Sequence, residues 1–176
     1  MKKGIILCSM LFFIAAQSQQ SGMVINNYSI YDYYGNIDAT GNTSCYPNVI
    51  TNNPQSIFVA SGSTYTLSNY AALGIGNSTA TYIVTSSATN PGVVRPYDFV
   101  GLLPTSVIGS NTNWRHSKFF MNYAGTNNPV YGWQANIADG TNICYTWPSY
   151  ISNSFGEAEW FTISSGSGNV SFLQIY

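Results

Sequence analysis

The chain has 176 residues, which is enough for one domain of ordinary size. Only 6% of the residues are Asp, Glu, Lys or Arg, and 15% are aromatic. This composition excludes an intrinsically disordered chain, which needs low hydrophobicity and high net charge. It also excludes a nucleic-acid-binding protein, because clustered Lys and Arg are needed to neutralise phosphates.

The first 18 residues have the pattern of a secretory signal peptide. Lys2 and Lys3 form a basic start, an apolar run covers residues 4–16, and small residues precede a cleavage site expected between Ser18 and Gln19. The apolar run is shorter than the roughly 20 residues that span a bilayer. We therefore expect a secreted protein, extracellular or periplasmic, with no transmembrane span and a single domain at 19–176.

Two cysteines remain after the predicted signal peptide, at Cys45 and Cys144. An even number of cysteines in an exported chain is most simply paired, so a disulfide between them is expected. The alternative is a pair of buried free thiols.

Most of the chain alternates β-branched or aromatic residues with clusters of Asn, Gly, Pro and Ser, which is typical of strands and turns. Gly35-Asn36 is predicted as a turn, and Asp139-Gly140 as a two-residue hairpin. The strands are predicted at 23–34, 46–50, 57–60, 64–67, 80–85, 93–100, 114–121, 130–135, 142–147, 159–163 and 170–176. This pattern predicts an all-β fold, a single antiparallel β-sandwich of the jelly-roll or immunoglobulin-like kind, with a closed barrel as the alternative.

The segment Trp114-Arg115-His116-Ser117-Lys118 concentrates basic residues around the single histidine of the chain. On a regular strand, Trp114, His116 and Lys118 would face one way, and Arg115 and Ser117 the other. His116 is a candidate for an anion or sugar site. The alternative is a solvated strand face, because no base partner or nucleophile is evident for this histidine.

The only two glutamates, Glu157 and Glu159, are two residues apart. On a strand they would share a face at roughly 6–7 Å. Glycoside hydrolases use a pair of carboxylates at such a distance, one as the acid and one as the nucleophile or base. The alternative is a pair of solvated side chains.

Aromatic residues close to turns suggest a platform for sugar rings. Tyr131, Trp133, Tyr145 and Trp147 are the candidates, and the last two would share a face of the predicted strand at 142–147. For the two tryptophans, a place in the core is an equally good interpretation.

The function favoured by these patterns is that of a secreted, non-enzymatic β-sandwich that binds a glycan or cell-surface component through Tyr, Trp and Asn side chains. Because uncharged strand edges invite pairing, a self-assembling surface or appendage subunit is the first alternative. A small glycosidase that uses Glu157 and Glu159 is the second. We expect no cofactor and no metal site, because a single histidine and the expected cystine leave no usual ligand set.

Overall fold

A computed structural model describes residues 22–52, 57–68, 81–96, 111–165 and 168–176. The predicted signal peptide and its cleavage site lie outside these residues. The described residues form β1 (Gly22–Asn27), β2 (Tyr31–Gly41), β3 (Asn48–Thr51), β4 (Ile57–Val59), β5 (Ser63–Leu67), β6 (Thr81–Thr85), β7 (Val93–Pro96), β8 (Thr112–Tyr123), β9 (Pro129–Ala138), β10 (Tyr150–Asn153), β11 (Gly156–Ser165) and β12 (Gly168–Ile175). None of the described residues belongs to a helix long and apolar enough to cross a membrane.

The strands form two packed sheets, which confirms the predicted all-β sandwich. The smaller sheet has the order β10-β11-β12-β1-β5, and the larger has the order β7-β6-β3-β2-β8-β9, with β4 also paired to β2. Over the described ranges neither sheet closes into a barrel. All pairs are antiparallel except β1 with β12, which are parallel. These two strands lie far apart in the chain, so no short hairpin forces them to run in opposite directions.

The core lies between the sheets and is filled by alternate residues of their strands. Met23 and Ile25 of β1 and Leu173 and Ile175 of β12 are completely buried, and the residues between them are more accessible. Such alternation is the signature of a strand with one face on a core. It explains why these parts of the sequence were recognisable as strands.

The predicted turn at Gly35-Asn36 is wrong, because β2 continues through both residues. Glycine is needed at position 35 for packing. A side chain there would place its Cβ 2.8 Å from Cβ of Phe119 and 2.5 Å from the hydroxyl oxygen of Tyr33. The absence of a side chain at Gly35 therefore lets β2 and β8 pair closely over the buried Tyr33 ring.

The predicted strand at 23–34 is instead two strands, separated by a turn at residues 28–30. The buried Asn27 side chain organises this turn. Its amide donates to the carbonyl oxygens of Tyr31 and Val59, and its Oδ1 accepts from the backbone N–H and the hydroxyl of Ser29. An Asn side chain that satisfies local backbone groups commonly ends a strand. Here it lets the chain pass from the smaller sheet to the larger one.

A β-bulge at Arg115 changes the side chains that β8 presents on each face. His116 is opposite Asp38, but Trp114 is opposite Ala39, so Arg115 is the extra residue between the two pairs. The prediction that Trp114 and His116 share a face is therefore wrong. Trp114 is fully buried in the core, whereas His116 lies with Lys118 on the outer face of the larger sheet.

Residues 139–149, between β9 and β10, form a long loop and not the predicted hairpin followed by a strand at 142–147. Side chains satisfy the backbone of this loop. Asp139 Oδ1 accepts from the N–H of Thr141, and Asn142 Oδ1 accepts from the N–H of Cys144. These bonds take the place of strand pairing. Cys144 is joined to Cys45, with Cα atoms 5.3 Å apart, which confirms the expected disulfide.

Candidate functional site

The outer face of the larger sheet carries a row of aromatic side chains across three adjacent strands. Phe58 of β4 is in register with Tyr34 of β2, which is in register with Phe120 of β8. The ring centroids of Tyr34 and Phe58 are 4.9 Å apart. The rings of Tyr34 and Phe120 are nearly parallel, at 9°, with centroids 5.6 Å apart. Phe58 is 46% exposed, so the row is accessible from solvent.

Polar side chains accompany this row. Gln134 of β9 extends it beyond Phe120, and two residues further along the strands Asn36, Lys118 and Asn136 form a second cross-strand row. The four polar residues and Phe120 line one pocket of about 490 Å³, a volume typical of ligand sites. We call this surface the aromatic face; it consists of Tyr34, Asn36, Phe58, Lys118, Phe120, Gln134 and Asn136.

The polar groups of the aromatic face have unused hydrogen-bonding capacity. Asn36 Oδ1 is buried and has no hydrogen-bond partner among the described residues. The side chains of Lys118, Gln134 and Asn136 form no hydrogen bond or ion pair with other residues of the described ranges. Because unsatisfied polar groups beside a pocket are available to a ligand, this surface can supply both donors and acceptors.

Beyond the polar row, the 139–149 loop crosses the same face and covers His116 and Asp38. The ring of Tyr145 stacks on the imidazole of His116 at a centroid distance of 4.5 Å. His116 Nδ1 is 2.8 Å from Asp38 Oδ2, and both side chains are buried. The structure therefore supplies His116 with the acidic partner that was not evident in the sequence.

The hydroxyl group of Tyr145 completes this cluster. It donates to Asp38 Oδ2 at 3.1 Å and accepts from Asn48 Nδ2 at 2.8 Å. Burial raises the pKa of Tyr145, and the negative charge of Asp38 raises it further. The phenol is therefore protonated at neutral pH and acts as a donor to the carboxylate. His116 Nε2 and Asp38 Oδ1 are buried, and neither atom has a hydrogen-bond partner within the segments that the structure describes.

The four aromatic residues predicted to form a platform do not lie on one surface. Trp133 is fully buried and packs edge-on against Phe119, so its assignment to an exposed platform is wrong. Tyr131 is 86% exposed, and Trp147 is about half exposed. Tyr145 is partly buried against His116. Since residues 142–147 are a loop, Tyr145 and Trp147 do not share a strand face.

Glu157 and Glu159 lie on β11, where they are exposed on the outer face of the smaller sheet. Their carboxylates form no ion pair or hydrogen bond with described residues. Glycosidases hold their acid and their nucleophile or base on two sides of the sugar. Within the described part of the chain, Glu157 and Glu159 lie on one exposed strand face and not on two sides of a pocket.

Within the described ranges, no group of three or more His, Cys, Asp or Glu residues is arranged to hold a metal ion. No protein-family model matches the chain, and no curated protein and no solved structure matches it significantly. The fold and site define a disulfide-bonded β-sandwich with an aromatic outer face and a covered His–Asp pair.

Proposed function

We propose that the protein is a secreted, non-enzymatic β-sandwich that binds a glycan through the aromatic face. The observation that supports this most strongly is the cross-strand row of Phe58, Tyr34 and Phe120. Beside it lie amide groups that have no partner among the described residues. Sugar rings have apolar C–H faces that stack on aromatic rings, and hydroxyl groups that need donors and acceptors nearby. The aromatic face offers both, and Phe120 lines one pocket together with Asn36, Gln134 and Asn136.

The dimensions of the aromatic row suit an oligosaccharide. Phe58, Tyr34 and Phe120 come from three neighbouring strands, and neighbouring strands are about 4.8 Å apart, so the row extends over about 10 Å. A ligand that lies across the strands can therefore contact all three rings. We propose that a glycan chain binds in this direction, with its hydroxyl groups toward Asn36, Gln134 and Asn136.

The disulfide supports the secreted location within this proposal. Cys45 and Cys144 are joined in the structure. Disulfides persist in the extracellular space and the periplasm and are rare in the cytosol. A chain that relies on this link would fold best after export.

Glycan binding can be tested with the variant Phe58→Ala on the mature protein. Retention on a panel of polysaccharides in affinity electrophoresis should fall several-fold, because aromatic stacking contributes about 0.5–1.5 kcal/mol beyond its buried area. Stability should change little, since Phe58 is already half exposed.

Tyr150→Ala is the matched control. Tyr150 is 52% exposed, but it lies on the smaller sheet, opposite Glu159. Its removal should leave retention unchanged. The proposal fails if the wild-type protein is retained by none of the polysaccharides or if both variants lose retention equally. Size-exclusion chromatography of both variants also shows whether Phe58 instead serves self-association, in which case only Phe58→Ala would dissociate an oligomer.

A further inference from the structure

A separate pocket of about 480 Å³ lies between the two sheets, beside the start of the 139–149 loop. It shares no lining residue with the pocket of the aromatic face. Polar side chains from both sheets and from the loop dominate its lining. They are Arg115, Asp139, Thr141, Ser149, Thr162, Ser164 and Asn169.

The carboxylate of Asp139 has no capacity left for a ligand. Oδ1 accepts from the N–H of Thr141 at 2.9 Å and from its hydroxyl at 2.8 Å. Oδ2 accepts from Nη1 of Arg115 at 2.5 Å and from the hydroxyl of Thr162 at 3.2 Å. These four bonds use the four lone-pair positions of a carboxylate.

The charge state of Asp139 follows from the same contacts. Burial alone would raise the pKa of Asp139, but the hydrogen bonds from Thr141 and the hydrogen bond and charge of Arg115 hold it below its usual value. The carboxylate is therefore ionised at neutral pH, and it fixes the guanidinium of Arg115 in one position. Asp139 is a positioning residue for this arginine.

Arg115, in contrast, has N–H groups that a ligand can use. Within the described ranges, Nη1 is the only side-chain nitrogen of Arg115 with partners, which are Asp139 and, at 3.4 Å, the hydroxyl of Thr141. The N–H groups on Nε and Nη2 have no partner among the described residues, and the side chain is 17% exposed. Trp160, which also lines the pocket, has a buried Nε1–H that finds no acceptor in the described part of the chain. A ligand that suits this pocket must therefore supply acceptors.

We propose that this pocket is a second ligand site, which binds the carboxylate of a small acidic molecule through the Nε and Nη2 edge of Arg115. Two parallel N–H groups on a planar guanidinium match the two oxygens of a carboxylate. The hydroxyls of Ser149 and Ser164 line the same space, so a hydroxylated acid, such as a sugar acid, suits it better than a hydrocarbon acid. This site does not depend on glycan binding at the aromatic face.

Isothermal titration calorimetry with glucuronate, glucose and acetate tests the proposal on the mature protein. Glucuronate should bind at least about tenfold more tightly than glucose, because only glucuronate presents a carboxylate to Arg115. Acetate should compete with glucuronate but bind more weakly. Equal affinity of acetate and glucuronate would show that the carboxylate alone is recognised and would overturn the preference for a sugar acid.

Arg115→Lys is the informative variant, because lysine keeps a positive charge near Asp139 but lacks the planar edge. Its affinity for glucuronate should fall by about tenfold or more. If Arg115→Lys does not fold, Ser164→Val narrows the same pocket without touching the ion pair, and it should also weaken binding. Tyr131→Phe, at an exposed position that lines neither of the two pockets, should bind glucuronate like the wild type. The proposal is overturned if glucuronate does not bind at millimolar concentration, if glucose binds equally well, or if the folded pocket variants retain full affinity.

Discussion

The hydroxyl group of Tyr145 connects the 139–149 loop to the larger sheet, and Tyr145→Phe removes only that group. The hydroxyl donates to Asp38 at 3.1 Å and accepts from Asn48 at 2.8 Å. The phenylalanine ring can still stack on His116. Asp38 is only 5% exposed, so solvent cannot fully replace the donor that its carboxylate loses.

The expected effect follows from the charge of the acceptor. Hydrogen bonds to charged groups contribute about 1.5–3 kcal/mol, and removal of one partner of a buried group costs an amount of this size. In a domain of 150–250 residues this loss lowers Tm by roughly 3–12 °C. Differential scanning calorimetry at pH 7 measures the change in Tm, and urea denaturation measures the free energy of unfolding.

Tyr131→Phe is a matched control, because Tyr131 is 86% exposed and its hydroxyl has no partner among the described residues. Its free energy of unfolding should stay within about 0.5 kcal/mol of the wild-type value. If Tyr145→Phe is as stable as this control, the hydroxyl of Tyr145 does not hold the loop on the larger sheet, and the stabilisation expected from its hydrogen bond to Asp38 is refuted.

Three further changes have defined outcomes. Trp133→Ala should lower the free energy of unfolding, measured by urea denaturation, by about 3–5 kcal/mol, because it empties a fully buried site. Trp147→Ala, at a half-exposed position, should lower it far less. Equal losses of stability would contradict the placement of Trp133 in the core. The wild type should be more stable than Asp139→Asn, and this difference should be complete above the unfolded-state pKa of Asp139, about 3.8. The difference should shrink as the pH falls through the lowered pKa of Asp139 in the folded state. A difference that grew in acid would contradict this prediction. Replacement of both Cys45 and Cys144 by Ser should lower the free energy of unfolding by about 4–5 kcal/mol, because the disulfide closes a loop with a sequence separation of 99. A negligible loss would show that the disulfide does not reduce the conformational entropy of the unfolded chain by the expected amount.

The fold class could be predicted because the chemical signals for strands are local. Alternating apolar residues mark β1 and β12, and the two cysteines that remain after the predicted signal peptide indicated the disulfide. Local signals failed where tertiary contacts determine the backbone. The close packing of Gly35 on Phe119 keeps β2 extended through a sequence typical of a turn. Similarly, Asp139 bonds to Thr141 within a long loop, although Asp-Gly is a common hairpin sequence.

The candidate site was less accessible to prediction, because it is formed by strand register. Phe58, Tyr34 and Phe120 are separated by long stretches of sequence, and their adjacency depends on which residues of β4, β2 and β8 pair. His116 was a candidate site residue in the sequence, but its partner Asp38 is a cross-strand neighbour that the sequence does not reveal. The alternation of Gln134 and Asn136 with core residues was the one available signal for the polar row.

The parallel pairing of β1 and β12 determines how the domain would respond to mechanical force. The register runs from Gly22 opposite Val170 to Asn27 opposite Ile175. Tension on the chain before β1 pulls at one end of this pair, and tension after β12 pulls at the other end. The two strands are then loaded in shear, so their hydrogen bonds resist together and do not open one by one. The mechanical strength of the domain therefore resides in the smaller sheet, away from the aromatic face on the larger one.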